Sequence, residues 1–236
     1  MRAQRESQDD RATAREPGVD GCGAQPHGRI DLGDRRLYLC TPDRPDLERF
    51  IEACIRGGVD IVQLRDKHLE AKPLLQRARL ALRVCRELGV PFILNDRPDL
   101  ALEVGADGVH VGQDDAPPSL CRRILGASAI VGYSTHAPIE FDAAIDEPVD
   151  YVSVGPDVAT PTKPGRPGTG LEYVEYAAAK STRPWFVTGG ATPETVPDIA
   201  KAGARRFVAV RWLTEASDPE RAARELRDAI DHALTP

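Results

Sequence analysis

Between residues 62 and 69 the chain reads VQLRDKHL, an apolar run that gives way within five residues to Gln63, Arg65, Asp66 and Lys67. A guanidinium and an ammonium at that spacing suit an anion with several oxygens, such as a phosphate. The same kind of transition recurs downstream, at Asn95–Asp96, at Gln113–Asp114–Asp115, at Ser134–Thr135–His136, at Thr160, Thr162 and Lys163, and at Gly189–Gly190. Two anion devices can be read from these residues. One is TGGAT at Thr188–Thr192, together with Val210–Arg211; paired glycines let backbone N–H groups approach a phosphate, helped by a following helix N-terminus. The other is made of side chains: Arg65, Lys67 and Lys163, with Asp96 and Asp115 beside them. Carboxylates next to cations at a phosphate site point to a bridging magnesium ion, which takes one or two carboxylates and completes its octahedron with phosphate oxygens and water. Two phosphate sites, one with a metal, predict two phosphorylated ligands and displacement of pyrophosphate. No Cys or Lys in these loops adjoins an evident base, so covalent catalysis is not expected, although Cys40 ends a strand and stays open.

These residues belong together only if the fold gathers them. Eight short, nearly continuous apolar runs are separated by amphipathic stretches: 37–40, 61–64, 92–94, 108–111, 130–133, 151–154, 185–187 and 207–210. Runs of that kind read as parallel strands covered on both faces. Between them, Leu47, Phe50, Ile51, Cys54 and Ile55 form a helical stripe, as do Leu74, Ala78, Ala81, Leu82 and Cys85, with Gly89 beyond. Asp218 and Pro219 should open the last helix, and Pro197 should kink or delay the helix after strand seven. The α/β alternation predicts a single (β/α)8 TIM barrel over residues 34–236, with its chemistry at the C-terminal ends of the strands. An open doubly wound sheet would want a glycine-rich loop after strand one, where the chain instead has CTPDRPD. Residues 1–33 are polar and acid-containing, and read as a disordered extension rather than a targeting signal.

Singly, each residue has a plainer reading. Arg65 and Lys67 could be solvated loop charges, Asn95–Asp96 a turn before Pro98, Ser134 a helix cap, Asp114–Asp115 the cap of the next helix, His136 a loop histidine and His110 a wall residue. Their coincidence on one rim is what favours a site. Strand one alone offers no strong polar signal. The net charge of −6 gives no general basic field for nucleic acid, and no apolar run is long enough for a bilayer. Five cysteines without metal-like spacing read as reduced thiols of a cytoplasmic protein. A homo-oligomer is compatible with the sequence, which does not fix the oligomeric state.

The segments QLRDK, ILNDRPDLALEVGADGVHVGQDD, VGYSTH, ATPTKPGRPGTG and TGGAT, in this order and spacing, resemble the thiamine-phosphate synthase family over residues 37–229. The resemblance implies condensation of hydroxymethylpyrimidine diphosphate with thiazole phosphate, by dissociative loss of pyrophosphate. It implies that Arg65, Lys67, Asn95 and Lys163 hold the diphosphate, and that Asp96 and Asp115 bind Mg2+. Gln63 and Ser134 would lie near the pyrimidine, and Leu64 and Asp66 are counted with their neighbours among the substrate-binding residues. Thr160 and Thr162, with the backbone of Gly190, Val210 and Arg211, would receive the thiazole phosphate. Arg65, Lys67, Lys163 and Ser134 are the expected catalytic residues. The chain departs from the family pattern at Val158–Ala159, at Thr188 and Ala191, and at Arg211, all on the thiazole side. Three other readings compete: a thiazole tautomerase-like isomerase, in which a histidine replaces Ser134; a non-catalytic phosphometabolite-binding barrel; and a sugar-phosphate epimerase, which would want a central acid–base pair.

Overall fold

In the computed structural model, which describes residues 31–156 and 168–235, eight parallel strands close into a barrel in sequence order, β8 pairing back onto β1. The strands are β1 Leu37–Thr41, β2 Ile61–Leu64, β3 Phe92–Asn95, β4 Gly108–Val111, β5 Ile130–Thr135, β6 Tyr151–Val154, β7 Trp185–Thr188 and β8 Phe207–Ala209. The helices are α1 Leu47–Arg56, α2 Ala71–Glu87, α3 Pro98–Val104, α4 Pro118–Leu125, α5 Pro138–Ile145, α6 Gly170–Lys180, α7 Val196–Lys201, α8 Arg211–Thr214 and α9 Pro219–Leu234. The (β/α)8 TIM barrel expected from the alternation is the observed fold. Among the described residues no helix is long and apolar enough to cross a membrane.

The helical stripes behave as their spacing predicts. Leu47, Phe50, Ile51 and Cys54 of α1, and Leu74, Ala78, Ala81, Leu82 and Cys85 of α2, are buried against the outward faces of the strands. Burial pushes the Cys54 thiol up to about 12, so this thiol stays protonated and serves packing. The Asp218 carboxylate accepts the Arg221 N–H at 3.1 Å and caps α9. Pro197 falls in the first turn of α7, where its missing N–H costs nothing, and the helix is delayed to Val196 and runs six residues. Residues 1–30 of the expected extension lie outside the described residues. Leu32, which the sequence assigns to that extension, is buried and packs with the barrel interior.

Register sets the interior. Cys40 pairs with Gln63, Asn95 with His110, His110 with Gly132 and Ser134 with Ser153, so all of these point inward together. Toward the N-terminal ends the interior is apolar, with Ile61, Ile93 and Ile130. Above them Tyr38, Tyr151 and Phe186 meet edge to face, with ring centroids 5.2–5.9 Å apart. Gly132 is what admits the Tyr151 ring: a Cβ there would lie 2.1 Å from Tyr151 Cζ. Gly132→Ala should therefore overpack the interior and lower stability by about 1–3 kcal/mol, read as a lower denaturant midpoint at unchanged slope.

Candidate active site

At the C-terminal mouth, a cavity of about 280 Å³ is lined, among others, by Gln63, Arg65, Lys67, Asn95, Asp96, Asp115 and Ser134. All eight strands contribute to its lining, and its cluster of charges follows β2, β3 and β4. Asp96 adopts φ 60, a left-handed conformation that Asp tolerates better than most residues. Its N–H donates to the His110 carbonyl at 2.8 Å, which ties the turn to β4. The carboxylate then faces Lys67, whose Nζ lies 2.9 Å from Oδ2. Burial raises the Asp96 pKa, and its hydrogen bond and repulsion with Asp115 add to this, against the pull of Lys67. Asp115 Oδ2 accepts the Gly112 N–H at 2.9 Å, closing its own loop. Two carboxyl groups in hydrogen-bonding contact can both ionise comfortably only with a cation between them. Among the described residues no group of three or more His, Cys, Asp or Glu could hold a metal. A pair of carboxylates fits a hard cation that keeps other oxygen ligands, and not a closed all-protein site.

Arg65 lines the same cavity. Its N–H donates to the Thr41 carbonyl at 2.8 Å, fixing where the chain leaves the barrel. Among the described residues the guanidinium forms no ion pair, so it enters the site uncommitted. Below, the floor is a hydrogen-bonded series. Cys40 Sγ donates to Gln63 Oε1 at 3.4 Å, and Gln63 Nε2 donates to the Tyr38 hydroxyl at 2.7 Å. Tyr38 and Tyr151 hydroxyls are 2.8 Å apart; Tyr151 is 2.9 Å from His110 Nδ1, and His110 Nε2 is 2.9 Å from Ser134 Oγ. Ser153 Oγ donates to Ser134 Oγ at 3.3 Å.

A second cavity of about 490 Å³ opens beside the first and shares Thr188, Val208 and Val210 with it. Gly189 and Gly190 there have φ 89 and 80, backbone that a side chain would strain. Thr195 Oγ1 donates to the Gly190 carbonyl at 2.6 Å, holding the loop open. Val210 precedes α8, and its carbonyl accepts from Leu213 and Thr214; the first N–H groups of that turn have no intrahelical acceptor. Ala191 and Arg211, two of the departures, line this second cavity, and Thr188 lies on the shared wall. Val158, Ala159, Thr160, Thr162 and Lys163 lie outside the described residues.

A family model described as thiamine monophosphate synthase matches residues 37–213. A thiamine-phosphate synthase of Thermus thermophilus is 49% identical over 201 residues, covering 83% of this chain and 97% of that protein. One from Streptomyces avermitilis is 47% identical over 210 residues, covering 87% and 98%. The chain belongs to the thiamine monophosphate synthase family. It is a transferase of thiamine biosynthesis. The solved thiamine phosphate pyrophosphorylase of Pyrococcus furiosus superposes with a TM-score of 0.78 at 26% identity, covering 86% of this chain and 98% of that one.

Within this family member, the sequence-predicted residues divide clearly. Gln63, Arg65, Lys67, Asn95, Asp96, Asp115, Ser134 and Val210 line the first cavity, and Gly190, Val210 and Arg211 the second. The side chains of Leu64 and Asp66 do not line either. Leu64 points into the layer between strands and helices, because it is one residue out of register with inward-facing Gln63. Asp66 accepts N–H groups of His68 and Leu69 at 2.9 and 3.0 Å and of Asp43 at 3.3 Å, so its carboxylate shapes the loop. Ser134 lies within β5 rather than capping a helix, and Asp115 binds back to Gly112 rather than capping α4. His136 lines the rim, with its N–H on Glu140 and Nδ1 on the Gly155 carbonyl.

The largest omission concerns strand one. It contributes Tyr38 and Cys40, and β6 contributes Tyr151 and Ser153. The signal was present as Tyr38 and Cys40, and Tyr151 and Ser153, at every second position of β1 and β6, but tyrosine also suits an ordinary strand.

Proposed function

We propose that this chain joins hydroxymethylpyrimidine diphosphate to thiazole phosphate, giving thiamine monophosphate and pyrophosphate. The observation that carries the reading is the Lys67–Asp96–Asp115 cluster sharing one cavity with Arg65, which meets the glycine-loop cavity at Thr188 and Val210. Arg65 and Lys67, with Asn95 and, by family resemblance, Lys163, bind the diphosphate. Asp96 and Asp115 hold Mg2+ there; when bound, the ion neutralises charge on the departing diphosphate. Gln63 and Ser134 orient the pyrimidine from below. The N–H groups of Gly190, Val210 and Arg211, with Thr160 and Thr162, take the thiazole phosphate.

The bond changes need little acid or base. The C–O bond to the diphosphate breaks and its electron pair stays on oxygen. The thiazole nitrogen then gives its lone pair to the exocyclic carbon, and no proton has to be lost. What the chain supplies is alignment of two anionic ligands and stabilisation of a multiply charged leaving group, consistent with the cations Arg65 and Lys67 in the cavity lining. Incubating the protein with both substrates and magnesium tests this. Thiamine monophosphate and pyrophosphate should appear in equal amounts, and omitting either substrate should abolish both. Conversion of a thiazole alone would contradict the reading and favour the isomerase.

Arg211 lines the thiazole side, at an exposed position in the first turn of α8. Arg211→Ser should raise KM for thiazole phosphate about three- to tenfold, as loss of one solvated charge-assisted contact does, and leave KM for the pyrimidine diphosphate unchanged.

A further inference from the structure

We propose that the buried series Cys40–Gln63–Tyr38–Tyr151–His110–Ser134 is a one-way hydrogen-bond relay that fixes the His110 tautomer and leaves Ser134 as a donor toward the pyrimidine. The direction follows from counting hydrogens. Gln63 presents Oε1 to the Cys40 thiol and Nε2 to the Tyr38 hydroxyl. Tyr38 thus accepts from Gln63, and its single hydrogen has the Tyr151 hydroxyl at 2.8 Å as its acceptor. Tyr151, having accepted, passes its own hydrogen to His110 Nδ1 at 2.9 Å. Nδ1 is then the bare nitrogen, and Nε2 carries the proton and donates to Ser134 Oγ at 2.9 Å. Ser134 Oγ also receives Ser153. Both its lone pairs are occupied, so its hydrogen is left for the cavity, where an aminopyrimidine offers ring-nitrogen acceptors.

The opposite direction requires the Gln63 amide to turn over. Nε2 would then face sulfur, a weak acceptor, and Tyr38, Tyr151 and His110 would all reverse. Ser134 would give its hydrogen to His110 and offer the ligand none. Burial raises the pKa of both phenols strongly, so neither can become a pure acceptor that breaks the series. Tyr38 and Tyr151 are 1% and 0% exposed, which leaves them no bulk water as an alternative partner. The orientation of one carboxamide on β2 therefore sets the donor state of a hydroxyl on β5, through residues of β1, β6 and β4. Tyr38, Tyr151 and His110 are positioning residues acting through Ser134. The pyrimidine half of this inference rests on the proposed function; the tautomer does not.

The test is 15N NMR of the histidine-labelled full chain, with the His110 signal assigned by its loss in His110→Gln. Without ligand, His110 should be neutral with the proton on Nε2. In Gln63→Glu, at a pH where the carboxylate is ionised, the side chain can only accept, so Tyr38 must donate to it and the His110 proton should move to Nδ1. The hydrogen bonds run from Gln63 to His110 through Tyr38 and Tyr151, and a merely structural role would not move that proton. Tyr151→Phe should abolish the response to Gln63→Glu, and alone should raise KM for the pyrimidine diphosphate about five- to tenfold without changing KM for thiazole phosphate. A proton on Nδ1 in the parent protein overturns the direction, even should Gln63→Glu fail to fold. An unmoved proton in folded Gln63→Glu overturns the coupling. A correct tautomer in a protein that does not make thiamine monophosphate would leave the relay standing and remove its pyrimidine role.

Discussion

Asp96→Asn is expected to lower kcat about a hundred- to a thousandfold and to remove most of the activity gained on adding magnesium. The substitution keeps shape and hydrogen bonding and removes only the ability to carry charge. Asn tolerates left-handed backbone as Asp does, so φ 60 at this position is retained and the turn stays fastened to β4 through the His110 carbonyl. What is lost is one of the two oxyanions proposed to share the cation, and the ion that holds Lys67 at 2.9 Å. Removing one preorganised charge-stabilising contact costs about 2.7–4 kcal/mol in the transition state, which sets the expected range. Stability should move the other way. The Asp96 pKa is raised in the folded chain, chiefly by burial, so without metal its contribution is favourable below the unfolded value and is lost as pH rises through the folded value. Metal-free Asp96→Asn should therefore melt at or above the parent temperature once pH passes the carboxylate range. Activity and thermal midpoint measured together over pH check both halves.

Arg65→Ala is expected to lower kcat/KM for the pyrimidine diphosphate about a hundredfold or more, with the fold unaffected. Among the described residues Arg65 forms no ion pair, and its fixed link to the barrel is backbone, from its N–H to the Thr41 carbonyl. Truncation therefore costs little in structure and removes a planar donor proposed to bind phosphate oxygens. Arg65→Lys should recover only part of the loss, because an ammonium keeps the charge but not the two-pronged geometry. Steady-state kinetics of the two variants, each with a denaturation curve, separates this from unfolding. Full recovery by Lys would mean that charge alone is used.

The strands were legible because parallel strands covered on both faces must be apolar nearly throughout, and each run ended abruptly in polar residues. Arg65, Lys67, Asp96 and Asp115 could be assigned to one rim by topology alone, since every βα loop of a closed barrel opens on the same side. The cavity floor was harder. Tyr38 and Tyr151 sit inside runs that read as ordinary core, and only register with Gln63, His110 and Gly132 reveals that they face inward. Leu64 and Asp66 have side chains outside both cavities for the reverse reason. Adjacency along the chain put them with Gln63 and Arg65, whereas strand alternation sends Leu64 outward and the Asp66 carboxylate is held by backbone N–H groups. Leu32 shows the same limit at the barrel's base, where one apolar residue in a polar segment joins the interior.

The charged cluster at the ends of β2, β3 and β4 is the centre of the account, and a crystal structure with pyrophosphate and manganese, standing in for magnesium, tests it most directly. The anomalous signal should lie between the Asp96 and Asp115 carboxylates, with the pyrophosphate bridging from the metal to Arg65 and Lys67. Pyrophosphate bound at Gly189–Gly190 instead, with no metal at Asp96 and Asp115, would contradict it.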